Sequence, residues 1–461
     1  MSGNTRKVAA DPSASRWDQV ADQIQLTLDQ DQLTNCMRCG FCLPACPTYR
    51  ETGLEAASPR GRIALMKAVH DGLIKPDQSF AAQMDLCLGC RACEPACPAG
   101  VTYGRLLEQT RASIQTHHPR SKLEKAIRDF FFRYLFPHPE RLRLSSYLLA
   151  FYQRTGLRAL VHHTGLSRVL PAHLRQMDCI LPTADPRGSR SRTGEIVKPE
   201  GKPIGRVGMF RGCIMDIIFT ETNQNTVKLL TALGYEVVFP DTQTCCGALH
   251  AHAGEKELAI ELAKQNIAAF KEWEVDWIAS NAGGCGAMLI EYPHLLEGKP
   301  DWEKEADWFA GRIKDVSQLI VEAGDSLPFR AKVPQRVTYQ DSCHLRNGMK
   351  ITVEPRRLIR SIPGVTFVEL FEADRCCGSA GIYNLTQPEM SMNILDEKME
   401  HVKTTGADIL ITSNPGCLLQ MKLGIERAGL QKQMRAVHLI DFLAECLDQS
   451  ENKQEKAGQE I

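Results

Sequence analysis

The chain carries no formal net charge, its 55 Lys and Arg offsetting 55 Asp and Glu over 461 residues. That balance excludes the basic face on which nucleic-acid binders rely. There is no run of 18 or more uncharged apolar residues, so no transmembrane helix is expected. The opening stretch MSGNTRKVAADPSASRWDQ has no apolar segment of signal-peptide length, which predicts a cytoplasmic protein. No G-x-G-x-x-G loop follows a strand-like run and no P-loop is present, so neither NAD(P) nor ATP use is supported. A persuasive acid–base pair or activated-nucleophile constellation is also missing. With 43% hydrophobic residues, the chain reads as globular and long enough for about three domains.

Cysteine, by contrast, is abundant, with 18 residues. In a reducing compartment, cysteines at regular spacings point to metal ligands rather than disulfides. Sixteen of them fall into two repeated patterns. Cys179 and Cys446 stand outside both and are expected to be inert and buried.

The first pattern is C-x2-C-x2-C-x3-C-P. CMRCGFCLPACP supplies Cys36, Cys39, Cys42 and Cys46, and CLGCRACEPACP supplies Cys87, Cys90, Cys93 and Cys97. This is the bacterial ferredoxin spacing for [4Fe–4S] clusters, in which the fourth cysteine serves the other cluster. Cys36, Cys39, Cys42 and Cys97 are therefore assigned to one cluster, and Cys87, Cys90, Cys93 and Cys46 to the second. Zinc also uses C-x2-C pairs but does not require the triple followed by proline. Between the motifs, SPRGRIALMKAVHDGLI places Ile63, Leu65, Met66, Val69 and Ile74 at near-helical spacing. An insert of this length suggests the helical kind of two-cluster domain over residues 17–115. Arg60 and Arg62 either approach a cluster or are solvated at the helix start.

The second pattern is a duplication. RVGMFRGC (Cys213), YEVVFPDTQTCCG (Cys245, Cys246) and VDWIASNAGGC (Cys285) return as RVTYQDSC (Cys343), VTFVELFEADRCCG (Cys376, Cys377) and ADILITSNPGC (Cys417). The offsets between matching cysteines are 130, 131 and 132 residues, which marks a repeated unit. Each cysteine follows a short β-branched run, and helical stretches fill the gaps, so each copy reads as βαβ units around a parallel sheet. Two such domains are expected, over 206–325 and 334–448. Ligands of open α/β sheets bind beyond the carboxyl ends of the strands, where all these cysteines would then lie. Adjacent thiolates can serve one cluster without a strained disulfide, and the glycine after each pair permits a tight turn. Zinc, or a buried pair of thiols, remains open for these modules.

Residues 116–205 carry no cluster motif. FFFRYLF and LRLSSYLLAFYQRTGLRALVHH are apolar stripes mixed with arginine and histidine, which read as a helical layer packed against the two halves, with a membrane surface or a docked partner as the alternative. Leu181–Gly205, rich in Pro, Gly, Ser and Arg, reads as a flexible linker or exposed loop. The closing DQSENKQEKAGQEI reads as a solvated tail.

Both ferredoxin motifs with SPRGRI between them, the two CCG modules, NAGGCGAMLIEY and CCGSAGIYNLTQPEM together resemble the iron–sulfur subunit of glycolate oxidase. The resemblance spans roughly residues 30 to 446. Its relatives are the iron–sulfur subunits of anaerobic glycerol-3-phosphate dehydrogenase and of lactate-oxidising complexes, and heterodisulfide reductase. It implies an α/β multidomain electron-transfer subunit with no substrate-oxidising site of its own. FAD would sit on partner subunits that oxidise glycolate or a similar 2-hydroxy acid, and electrons would pass to quinone or another acceptor, with peripheral attachment to the inner face of the cell membrane. A lactate or glycerol-3-phosphate complex is the alternative. The CCG domains of heterodisulfide reductase carry a fifth cysteine in a final C-x-x-C, and here those positions are Met288 and Gln420. That departure counts against disulfide reduction and leaves a further iron–sulfur cluster or zinc for each module's four thiols. His250, His252 and His344 are candidate extra ligands, with hydrogen-bonding or surface roles as the alternative.

Overall fold

The computed structural model describes residues 16–117, 122–169, 172–324 and 327–447. Most of the opening stretch and the closing polar tail lie outside these residues. Two compact units result. One runs to Arg128 and includes His250–Lys256; the other comprises Asp129–Leu249 and the chain from Glu257 onward.

In the first unit, short polar residues and prolines decide where helices start. Asp29 accepts from the Asp31 and Gln32 amides to begin Gln30–Thr34, and Asp77 accepts from the Phe80 amide at 2.8 Å to begin Gln78–Asp85. Ser58 caps Pro59–His70, whose Pro59 sits where no amide donor is needed. Val20 and Ile24 of Arg16–Thr27, Ile63, Met66 and Val69 of Pro59–His70, and Leu106, Leu107 and Ile114 of Tyr103–His117 are all buried in one cluster. Truncating Met66, which is fully buried, to alanine should cost about 2–5 kcal/mol.

The second unit holds two sheets. The first contains β1 (Ile196–Val197), β2 (Gly205–Met209), β3 (Tyr235–Val238), β4 (Trp277–Ser280) and β5 (Ile313–Asp315), in the order β1-β3-β2-β4-β5. The second contains β6 (Gln335–Tyr339), β7 (Val365–Phe367), β8 (Ile409–Thr412) and β9 (Arg435–His438), in the order β7-β6-β8-β9. All pairings are parallel except β1 with β3. Without β1, the two orders are the same, so the duplication seen in the cysteines extends to topology. Small devices repeat too. The Asp276 carboxylate accepts from the Arg206 amide at 2.7 Å, and Asp408 accepts from the Arg336 amide at 2.8 Å, each pinning the start of its module's first strand.

One apolar cluster unites the sheets: Val207, Val237, Leu230 and Phe239 belong to it together with Val337, Tyr339, Ile411 and Phe442. Polar ties reinforce it, since Asp441 accepts from Thr222 at 2.8 Å and from Asn225 at 2.9 Å. The stretch expected to be a flexible linker or exposed loop is partly ordered. Gly188–Thr193 is helical, with the Ser189 amide bonded to Asp216 at 2.8 Å, and Ile196–Val197 pairs antiparallel with β3. Its composition suits a loop, but Asp216 offers an acceptor and the sheet an unfilled edge. No helix among the described residues is long and apolar enough to cross a membrane.

Candidate metal centres

The two ferredoxin motifs share one backbone path. Arg38 and Gly89 occupy matching positions and are both left-handed (φ 55° and 65°), as are Gly40 and Arg91 (90° and 58°). Left-handed arginine is uncommon, so each loop accepts a local cost to curl around its thiols. From sequence alone, only the glycines flag this turn.

A small cavity is lined by Cys36, Cys39, Cys42 and Cys97, with Cys93, Arg60 and Tyr103 also on its wall. The last cysteine of the second motif thus reaches the first three of the first. Burial raises the Cys42 thiol above its usual range. Arg60 is held at the rim by Glu55 at 2.7 Å and donates to the Arg38 carbonyl at 2.9 Å.

Cys46, Cys87, Cys90 and Cys93 are all buried. Burial raises the Cys46 thiol, and it raises Cys93 further with the help of neighbouring Cys90 and Cys87. Cys87 goes the other way. Burial alone would raise it, but Arg62, Arg111 and the Tyr103 hydroxyl, which donates to Cys87 Sγ at 3.5 Å, hold it below the ordinary thiol range. The Gly89 amide also points at Cys87 Sγ, at 3.4 Å. Arg62, left open by the sequence, is entirely buried; it donates to the Gln83 carbonyl at 2.7 Å and to Thr48 at 3.2 Å. Its Nη1 finds no well-formed hydrogen bond. A buried cation beside Cys46 and Cys87 with spare donor capacity fits an anionic group held by those thiols.

In the CCG modules every cysteine follows the carboxyl end of a strand: Cys213 after β2, Cys245–Cys246 after β3, Cys285 after β4, and Cys343, Cys376–Cys377 and Cys417 after β6, β7 and β8. In the first module the thiols run in a chain of mutual hydrogen bonds. Cys213 is pushed well above its usual range by its bond with Cys245, then by burial. Cys246 is lowered by Cys245, but its bond to Cys285 and its burial outweigh that and raise it. In the second module, Cys376 lowers Cys377, while Cys417 and burial together raise it. Cys343 Sγ lies 3.4 Å from His344 Nδ1. Thiols already in mutual contact make a donor set that metal can convert to thiolates. Among the described residues no three Cys, His, Asp or Glu side chains close on a point as they would around one ion.

The glycines after the pairs are needed. Gly247 and Gly378 have φ of 84° and 87°, and a Cβ on Gly378 would stand 2.5 Å from the Ser391 carbonyl oxygen. The loops carrying the last cysteine of each module touch across the modules, the Gly284 amide donating to Asn414 Oδ1 at 3.0 Å and Asn414 Nδ2 to Cys417 Sγ at 3.5 Å.

Sequence reasoning missed the residues behind the pairs. Buried Asn266 accepts from the Thr244 amide and donates to the Cys245 carbonyl, both at 2.9 Å, and Tyr292 donates to the Cys246 carbonyl at 2.9 Å. In the matching place the second module has Lys398, buried, donating to the Glu372 carbonyl, its ammonium pushed down to about 8 by burial. Arg375, also buried, pairs with Glu372 and Glu397. Of the histidines, His252 bonds Glu108 at 2.9 Å within the first unit, which also holds the buried His250. Cys446 is buried as expected, but Cys179 is exposed, because the helix Ala172–Ile180 turns that position outward.

Three family models match the chain: a 4Fe-4S dicluster domain over residues 32–101, the linker region of the glycolate oxidase iron–sulfur subunit over 123–181, and a cysteine-rich domain over 207–290 and 337–422. The chain is 52% identical to a probable glycolate oxidase iron–sulfur subunit of Bacillus subtilis (strain 168), over 93% of this chain and 97% of that protein. It is 30% identical to the glycolate oxidase iron–sulfur subunit of Escherichia coli (strain K12), over 84% and 88%. Lactate utilization protein A of Oceanobacillus iheyensis is 35% identical, covering 52% of this chain and 96% of its own length.

Proposed function

The chain belongs to the glycolate oxidase iron–sulfur subunit family, and on that premise we propose that it is the electron-carrying subunit of a flavin-dependent complex oxidising glycolate. FAD and the substrate site lie on partner subunits, and the acceptor is a quinone or a comparable carrier at the inner face of the membrane. Cys36, Cys39, Cys42 and Cys97 hold one [4Fe–4S] cluster, and Cys87, Cys90, Cys93 and Cys46 the other. Cys213, Cys245, Cys246 and Cys285 form a third metal site, and Cys343, Cys376, Cys377 and Cys417 a fourth.

The observation that carries this reading is the cavity where Cys97 joins Cys36, Cys39 and Cys42, the crossed arrangement of a two-cluster ferredoxin domain. When bound, such clusters accept the two electrons of a reduced flavin singly and pass them on. The protein's part is to hold and tune. Arg62 and Arg111 favour the thiolate of Cys87, and the Gly89 amide and Tyr103 hydroxyl donate to its sulfur. Asn266 and Tyr292 fix the carbonyls of Cys245 and Cys246 and so aim the vicinal thiols. A lactate-oxidising complex is the second reading, favoured by the match to lactate utilization protein A, which extends over only half of this chain.

The test starts with iron, zinc and acid-labile sulfide per chain on protein purified without oxygen. About twelve to sixteen irons, at four per cluster, supports metal redox sites in the CCG modules, whereas about eight restricts them to the ferredoxin motifs. In the purified complex, Cys39→Ser or Cys90→Ser should abolish electron delivery to an acceptor while glycolate still reduces the flavin. Normal delivery in both variants would remove the conduit role, and activity with lactate but none with glycolate would overturn the substrate.

A further inference from the structure

We propose that residues 129–169 form a face that docks onto an anionic lipid surface. The inference deepens the membrane-side acceptor of the proposed function and rests on it for its purpose, but not for its evidence. Of 25 large apolar side chains standing exposed among the described residues, 11 fall within this segment of the second unit. Scattered exposed leucines are ordinary, but a concentrated patch marks an interaction site.

The helix Pro139–Arg154 shows how the patch is built. Leu142, Ser146 and Ala150, four residues apart, are buried against the unit. The opposite stripe would be polar on a free-standing surface helix. Instead it carries Leu144, Tyr147, Leu148 and Phe151, which are 65%, 54%, 69% and 60% exposed. Just before it, the Phe130 and Tyr134 rings stack with centroids 5.7 Å apart, both about half exposed. The Arg141 guanidinium lies 4.0 Å from the Tyr134 centroid, an apolar body beneath a charged head.

Charge selects the occupant. Residues 129–169 contain six arginines against Asp129 and Glu140, in a chain whose total is zero; Arg133, Arg143 and Arg158 pair with Asp129, Asp216 and Asp178, and the arginines still outnumber these acids. Outward leucine and aromatic side chains among arginines that outnumber the acids are the composition of segments lying in the plane of an anionic bilayer. The 16-residue helix Pro139–Arg154 lies along such a surface rather than through it.

The experiment is co-sedimentation of the purified, metal-loaded full chain with vesicles of phosphatidylcholine alone or mixed with phosphatidylglycerol, at low and high salt. The expected result is salt-sensitive binding, at least about tenfold tighter to the phosphatidylglycerol vesicles. Leu148→Glu with Phe151→Glu should weaken it by about tenfold or more, with iron content and circular dichroism unchanged. Leu144→Ser with Leu148→Ser, milder and equally exposed, serves if the first pair disturbs folding. No binding to phosphatidylglycerol vesicles, or binding that both variants leave intact, overturns the proposal. So does a variant that keeps its vesicle binding but no longer assembles with the flavoprotein subunits, which would make the face a protein interface. Sedimentation needs no electron transfer, so its failure leaves the glycolate reading standing, and failure of that reading leaves the vesicle result standing.

Discussion

Arg62 shows how one residue can be read in two ways from sequence and in only one from structure. In SPRGRI it resembles any arginine in a first helical turn, yet it is wholly buried with Cys46 and Cys87 as neighbours. A positive charge there favours the reduced, more negative state of whatever those thiols hold. At roughly 6 Å and an effective dielectric of about 20, a unit charge is worth about 2–3 kcal/mol, or on the order of 100 mV. Arg62→Met is therefore expected to lower the midpoint potential of one ferredoxin-type centre by that order in a redox titration followed by electron paramagnetic resonance. An unmoved potential would reduce Arg62 to packing. Asn266 has the same history: in KQNIAAF it looks like an ordinary helical polar residue, and only the fold turns it onto the Thr244–Cys245 turn. Asn266→Leu should cost about 1–3 kcal/mol, because buried backbone groups lose their partners. It should also deplete metal from the first CCG module while sparing the second. The grouping of the cysteines was legible because their spacing is local in sequence; the groups packed around them come from distant segments, and no spacing announces them.

Strands and helices were legible where their periodicity was strong. Every short β-branched run before a cysteine is a strand, and the stretch between the ferredoxin motifs holds the helix Pro59–His70, which ends before the exposed Ile74. Reading failed where composition stood in for partners, as in the supposed linker with its helix and edge strand. The join between β9 and the helix Leu439–Cys446 carries a pH dependence that composition also hides. His438 is buried, its Nδ1 accepting from the Ile440 amide at 3.2 Å, and burial pushes its pKa down to about 4. The unfolded chain keeps a histidine near 6.5, so acid protonates the unfolded state first. The neutral imidazole's contribution is complete above pH 6.5 and is lost as pH falls toward 4, amounting to about 3 kcal/mol. His438→Asn retains a capping acceptor and should flatten that part of the acid limb in urea unfolding compared at pH 7 and pH 4.5. Equal losses in both proteins would show that other groups set it.

Across the whole molecule, the duplication was legible from cysteine offsets alone, whereas the shared core was not, since spacing says nothing about which faces meet. Val207, Leu230 and Val237 of the first CCG module lie in one apolar cluster with Val337, Ile411 and Phe442 of the second. Residues 206–325 expressed alone should consequently lack a cooperative thermal transition and bind a hydrophobic dye. A sharp calorimetric transition for that fragment would count against a shared core. The same arrangement sets a clock during synthesis. The second module follows the first off the ribosome, and at about 5–20 residues per second its hundred-odd residues take on the order of ten seconds to appear. Through that interval the nascent first module shows an unfinished apolar wall that only the second module covers.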